Sequence, residues 1–192
     1  EQSVDRGYNY IILTDRTAEG PYIPSLLAVS AVHHYLISVG KRVQTALIVE
    51  SGEIRETMHA ALLLGYGASA LCPYMTFAIL DNLVKNGKIQ EDYSTAESNY
   101  IGAVKKGLFK IMAKMGISTI RSYRGAKIFE SIGLSGSLLN SYFGTAVSTV
   151  GGVGLDKIAD DAQVFYDSAQ KNEKDIVLNP QEEFIEKAFD FY

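Results

Sequence analysis

The stretch that most constrains this chain is residues 43–74, VQTALIVESGEIRETMHAALLLGYGASALCPY. It opens with a mostly apolar run at 43–49, short enough for a strand, which Glu50-Ser51-Gly52 interrupts. Ile54, Met58, Ala61 and Leu62 then recur near helical spacing. Gly65 and Gly67 close that segment, and 68–72 make a second short apolar run. Strand, turn, helix, turn and strand in so short a span predict a βαβ unit. Its strands are expected to be parallel and buried on both faces. Polar groups after the first strand would then stand at its carboxyl end, where α/β folds bind ligands.

The flanking segments extend the pattern. Residues 8–13 (YNYIIL) predict a strand with Thr14-Asp15-Arg16 at its carboxyl end, and Pro24 fits the first position of a helix that runs to Val39 and stops at Gly40. The first 72 residues therefore read β-α-β-α-β, which is half of a doubly wound sheet or less than half of a barrel. A helix is expected at 74–84. Over 97–115, Ile101, Val104, Leu108, Ile111, Met112 and Met115 form one apolar stripe opposite Lys106, Lys110 and Lys114. Ser94 or Thr95 is the expected cap, with Glu97 completing a capping box from Ser94. Beyond it the spacing predicts a strand at 117–120 and short helices at 126–132 and 134–142. The glycine-rich stretch 143–154 reads as a bend or domain edge. Residues 1–154 form the expected α/β core. Residues 155–192 form a helical extension, with apolar stripes at 155–166 and 184–191.

Composition narrows the function classes. In 192 residues, 47% are apolar, enough for a real core, and the net charge of −4 argues against general nucleic-acid binding, which requires phosphate neutralisation. No apolar span is long enough for a membrane helix and no signal peptide opens the chain, so a soluble, reducing compartment is expected. The start EQSVDRG reads as mid-protein, as in an excised piece of something larger.

Cys72 is the one cysteine, so an internal disulfide and a cysteine-rich metal site are excluded. It reads as a buried, inert thiol before Pro73. His33 and His34 are adjacent in a helix, point about 100° apart and cannot chelate as an i, i+4 pair. No metal site is expected. Two polar clusters are the candidate ligand or interdomain contacts. Glu50, Ser51 and Gly52 lie at the carboxyl end of a strand, where the next helix presents free N–H groups, although Glu50 and Glu53 would repel an anion. Ser122, Tyr123, Arg124 and Gly125 offer charge and a glycine at a helix start, suited to a phosphate, a carboxylate or a salt bridge to a neighbouring domain. Gly65-Tyr66-Gly67 follows a helix rather than opening one, and Gly151-Gly152-Val153-Gly154 lacks the lysine of a phosphate loop. These residues alone describe a soluble α/β domain with no complete catalytic constellation. An independent domain that binds FMN or a phosphate ligand is the alternative.

Longer stretches carry a resemblance. NYIILTDR, IPSLLAVSAVHHYLI, ALIVESGEIRETMHAALLLGYGASALCPY, NYIGAVKKGLFKIMAKMGISTIRSYRGAKIFESIGL and VSTVGGVGL cover most of residues 9–155 in one order. Together they closely resemble the central domain of the glutamate synthase large subunit. The resemblance implies an incomplete, TIM-barrel-like arrangement of parallel strands and helices, a reduced relative of a flavin barrel. It implies a parent that uses FMN and an iron–sulfur cluster. There an amidotransferase domain releases ammonia from glutamine, and an FMN-binding domain turns it, with 2-oxoglutarate, into glutamate. The amidotransferase and FMN-binding domains are the implied partners, with self-association of the excised piece. The implied location is the cytoplasm, or a plastid for a plant-type parent. In flavin barrels, glycine-rich loops close both late strands around the FMN phosphate. Here the second strand ends in Cys72-Pro73-Tyr74, and proline offers no N–H. No cofactor is expected in this chain alone, which is expected to be inactive. The segment IRSYRGAKIFES is the expected interdomain surface, its arginines pairing with carboxylates and Tyr123 and Phe129 anchoring it.

Overall fold

A computed structural model describes residues 1–16, 20–144 and 146–171. The organising unit forms as its pattern dictates. Strand β1 (Tyr10–Thr14) pairs in parallel with β2 (Ala46–Glu50), and β2 pairs in parallel with β3 (Ala70–Cys72), giving the order β1-β2-β3. Helix α2 (Ser25–Ser38) connects the first two strands and α3 (Thr57–Gly65) the second two. A short helical turn, α1 (Gln2–Asp5), precedes them and is held by Lys41, whose ammonium bridges Glu1 at 2.9 Å and Asp5 at 2.6 Å.

The two crossover helices pack on one face of this sheet. Leu47 and Val49 of β2 are fully buried with Val29 and Leu36 of α2 and Leu63 of α3. The opposite face is not covered in the same way. Tyr10 is 68% and Ile12 60% exposed there, beside half-buried Ile48. Burial on both faces is therefore corrected: the crossovers run on one side, and no described element closes over the other. The strand expected from Val43 begins later, because Arg42–Gln44 turn as a short 3-10 helix that leaves Val43 in solvent.

The remaining helices build outward. Helix α4 (Tyr74–Lys85) follows β3, and α5 (Tyr93–Lys114) packs against α3 and α4. Helix α5 starts four residues earlier than the expected 97. Asp92, rather than Ser94 or Thr95, is the cap, and its carboxylate accepts the Thr95 N–H at 3.0 Å. Pro24 likewise caps α2 rather than opening it; the missing acceptor comes from Glu53, whose carboxylate accepts the Ser25 N–H at 2.7 Å.

After α5 three expectations change. Residues 117–120 do not form a strand; Ile120–Tyr123 is a one-turn helix, α6, capped by Thr119. Instead of a helix at 126–132, Ser131–Leu134 is strand β4, and the glycine-rich stretch holds strand β5 (Ser148–Val153), paired in parallel with β4. Glycine permits this pairing, since a Cβ on Gly152 would stand 2.1 Å from the Gly133 carbonyl oxygen. Helix α7 (Gly136–Tyr142) joins the two strands, and α8 (Leu155–Lys171) follows. Leu138, Leu139 and Phe143 bury against Leu27 of α2, with Ile158 of α8 at their edge. The described strands thus form two separate parallel sheets and no closed barrel. The apolar stripe at 184–191 lies outside the described residues.

Candidate functional site

The two polar clusters singled out in the sequence stand at opposite ends of the three-stranded sheet. Parallel register sets this. Thr14 pairs with Glu50 and Glu50 with Cys72, so all three strands finish together and Glu50, Ser51 and Gly52 extend beyond that end. Arg124 instead lines a cleft with Arg42 and Ala46, where β2 begins. One pocket shared by both clusters does not exist among the described residues.

At the carboxyl end the key residue is Asp15. Its carboxylate accepts the Ser51 hydroxyl at 2.5 Å and the Gly52 N–H at 3.1 Å, while Ser51 Oγ accepts the Glu53 N–H at 3.1 Å. Glu50 accepts the Thr14 hydroxyl at 2.8 Å and an Arg16 N–H at 3.3 Å. Arg16 also lies 5.2 Å above the Tyr74 ring. The Tyr74 hydroxyl is pushed up to about 12 by burial and then by its hydrogen bond to Asp15. Thr14, Asp15, Glu50 and Ser51 border a cavity of about 420 Å³ that Tyr22 and Ile23 also line. An incoming phosphate would meet two carboxylates and a Gly52 N–H already committed to one of them. Pro73 contributes no N–H from the next strand end. The residues at this end do not fit the phosphate of FMN. Nor do they form a nucleophilic triad, for Ser51 donates straight to a carboxylate with no histidine between.

At the amino end the four residues part company. Tyr123 is 1% exposed and its hydroxyl donates to the Ala61 carbonyl at 3.1 Å, so it anchors α6 to α3 within the core and not to a neighbour. The Phe129 ring is half-buried against Tyr66 and Tyr123. Ser122 is exposed and its hydroxyl accepts from Thr119. The Gly125 N–H is already given to the Gly65 carbonyl at 2.8 Å. Arg124 remains: its Nε is buried without a hydrogen-bond partner among the described residues.

The other titratable groups offer little chemistry. Cys72 is half-buried, and burial, followed by the charge of Glu50, pushes its thiol up and away from reactive thiolate. His33 and His34 meet edge to face at 5.2 Å, and no group of three metal-ligating side chains occurs among the described residues. Both line a second cavity, of about 330 Å³, walled by Tyr66, Phe129 and Phe143. Sequence reasoning missed Asp15, Tyr74 and Arg42. For Asp15 a signal existed: it directly follows a strand whose carboxyl end must align with that of the next.

Comparison with known proteins decides the family. A model of the glutamate synthase central domain matches residues 1–135. The chain belongs to the glutamate synthase central-domain family. This central domain is 40% identical over 186 residues to the glutamate synthase [NADPH] large chain of Bacillus subtilis, covering 96% of the chain and 12% of that protein. It is 42% identical over 183 residues to ferredoxin-dependent glutamate synthase 2 of Synechocystis, covering 87% and 12%. To glutamate synthase [NADH] of Schizosaccharomyces pombe it is 38% identical over 180 residues, covering 92% and 8%. The central domain therefore spans about an eighth, or less, of the length of these relatives. No helix among its described residues is long and apolar enough to cross a membrane.

Proposed function

We propose that this chain is a noncatalytic central domain of glutamate synthase. In this reading it links the glutaminase domain to the FMN-binding synthase domain and supports the channelling of ammonia for glutamate formation from glutamine and 2-oxoglutarate. The observation that carries the reading is the Asp15 carboxylate on the Ser51 hydroxyl and Gly52 N–H, where a flavin phosphate would need free donors. The sequential order β1-β2-β3, with both crossover helices on one face, supports the view of these strands as a sector of a rudimentary barrel. The exposed Tyr10 and Ile12 side of the sheet suits contact with other domains of the parent. Electrons, flavin and iron–sulfur cluster belong to those other domains, since one cysteine cannot ligate a cluster. The compartment follows the parent, cytoplasm or plastid; one relative, from spinach, is named as chloroplastic.

Titration of the folded chain with FMN, read by flavin fluorescence, tests the reading, with 2-oxoglutarate in a second arm. No saturable binding of either is expected, with circular dichroism showing the sample folded. Saturable binding at micromolar FMN would replace the linker with an independent flavin-binding domain.

A further inference from the structure

We propose that the amino-terminal end of the three-stranded sheet docks a carboxylate side chain carried by another polypeptide surface, gripped by Arg42 and Arg124. Arg42 gives three N–H groups to neutral acceptors: Nε to His33 Nδ1 at 2.8 Å, and its terminal nitrogens to the Thr45 and Gly67 carbonyls at 2.7 Å each. A guanidinium has five N–H donors, so one remains on each terminal nitrogen. The Arg124 Nε is buried with no acceptor at all among the described residues. Burial, then the nearby charge of Arg124, disfavours the Arg42 cation, and every described ion pair involves other residues. A buried donor with no partner is destabilising, and more so when charged. A chain with 22 acidic residues leaves this place without one among those described.

The planar fork of a guanidinium matches a carboxylate in two parallel hydrogen bonds. Surroundings favour a side chain over a free anion. The cleft, about 450 Å³, is open and polar, with Asn9, Gln44 and Ser69 along it. Exposed Tyr10 and Val43 also line it, apolar neighbours that a protein surface would cover. The inference rests on the linker reading in one respect, that another part of the parent supplies the carboxylate.

Acetate serves as the probe, with the arginine Nε–H resonances followed by NMR in the 192-residue chain. Saturable shifts at Arg42 and Arg124 are expected, absent in chloride of equal ionic strength. Arg124→Gln should weaken the effect roughly tenfold, the loss of about one charge-assisted contact. Exposed Arg121→Gln should leave it unchanged. Shifts that chloride reproduces, or that survive Arg124→Gln, overturn the proposal. A blocked Gly-Glu-Gly peptide in a second arm should bind as well as acetate does. Binding of acetate with exclusion of the peptide would make this a closed small-anion site and overturn docking. The FMN titration is independent of both arms, so failure here and failure of the linker reading are told apart.

Discussion

At the residue scale, His33 shows how contacts set a protonation state. The Arg42 Nε–H points at its Nδ1, so that nitrogen must accept and the ring's one proton sits on Nε2. Burial, then the charges of Arg42, His34 and Arg124, lower the His33 pKa to about 4. The unfolded chain takes up this proton near pH 6.5, the folded chain only near 4. Between those values the unfolded state binds more protons, so stability rises with pH there and falls on acidification. The slope from this group is at most about 1.4 kcal/mol per pH unit, and less where water screens the ring. Urea unfolding at steps from pH 7 to 4.5 should show the decline, and His33→Gln should flatten it. Nothing in the sequence marked this pairing, because Arg42 reaches His33 only through the packing of α2 beside the start of β2. Gly67 completes the fit: at φ +120° it lies against the ring, and a Cβ there would come within 2.5 Å of it.

At the element scale, the α3–α5 contact depends on Gly107. A Cβ at this position would fall 2.5 Å from both Oγ1 and Cγ2 of Thr57. Gly107→Ala should therefore cost about 1–3 kcal/mol by overpacking. Gly102 lies in the same helix with open space around it, and Gly102→Ala should gain about 0.5–1 kcal/mol from helix propensity. Chemical denaturation of the two variants checks this opposition of sign. Which elements were legible follows the same logic. Strand β2, helix α3 and strand β3 were plain, because an apolar run, a helical repeat and two glycines agree locally. Helix α5 was plain from its stripe, though its cap was not, since Asp92, Ser94 and Thr95 are all good capping residues. Between 117 and 153 only α7 was legible, within the helix expected at 134–142. Four-residue segments carry too little periodicity, and tertiary contacts decide them: Tyr123 inserts beside Ala61, and the Gly133–Gly152 approach makes a parallel pair from residues that read as a helix and a bend.

At the scale of the whole molecule, the sheet keeps one side against helices and the other open. Tyr8, Tyr10 and Ile12 are each at least 60% exposed on or beside strand β1, which has no second neighbour among the described strands. Such an edge promotes self-association when nothing covers it. Sedimentation of the isolated chain should show concentration-dependent dimers or larger species, and the paired substitutions Tyr8→Lys and Ile12→Lys should return it to monomer. Their effect on unfolding free energy should stay within about 0.5 kcal/mol, because both side chains lie outside the core. A wild-type chain that stays monomeric at high concentration would show this face to be self-sufficient. This arrangement was only half legible: alternation in YNYIIL places Ile11 and Leu13 inward, but a sequence does not say which of two sheet faces will lack a cover.

The Glu53 carboxylate on the Ser25 N–H has a consequence for how the chain is born. Helix α2 is capped by a proline, which offers no side-chain acceptor for the Ser25 N–H. The acceptor arrives 28 residues later. At ribosomal rates of about 5–20 residues per second, that is a wait of a few seconds. During it, the nascent helix emerges with an unfinished end. Synthesis through the turn after β2 both delivers the second strand and completes helix α2, so the two are secured in one event rather than in sequence.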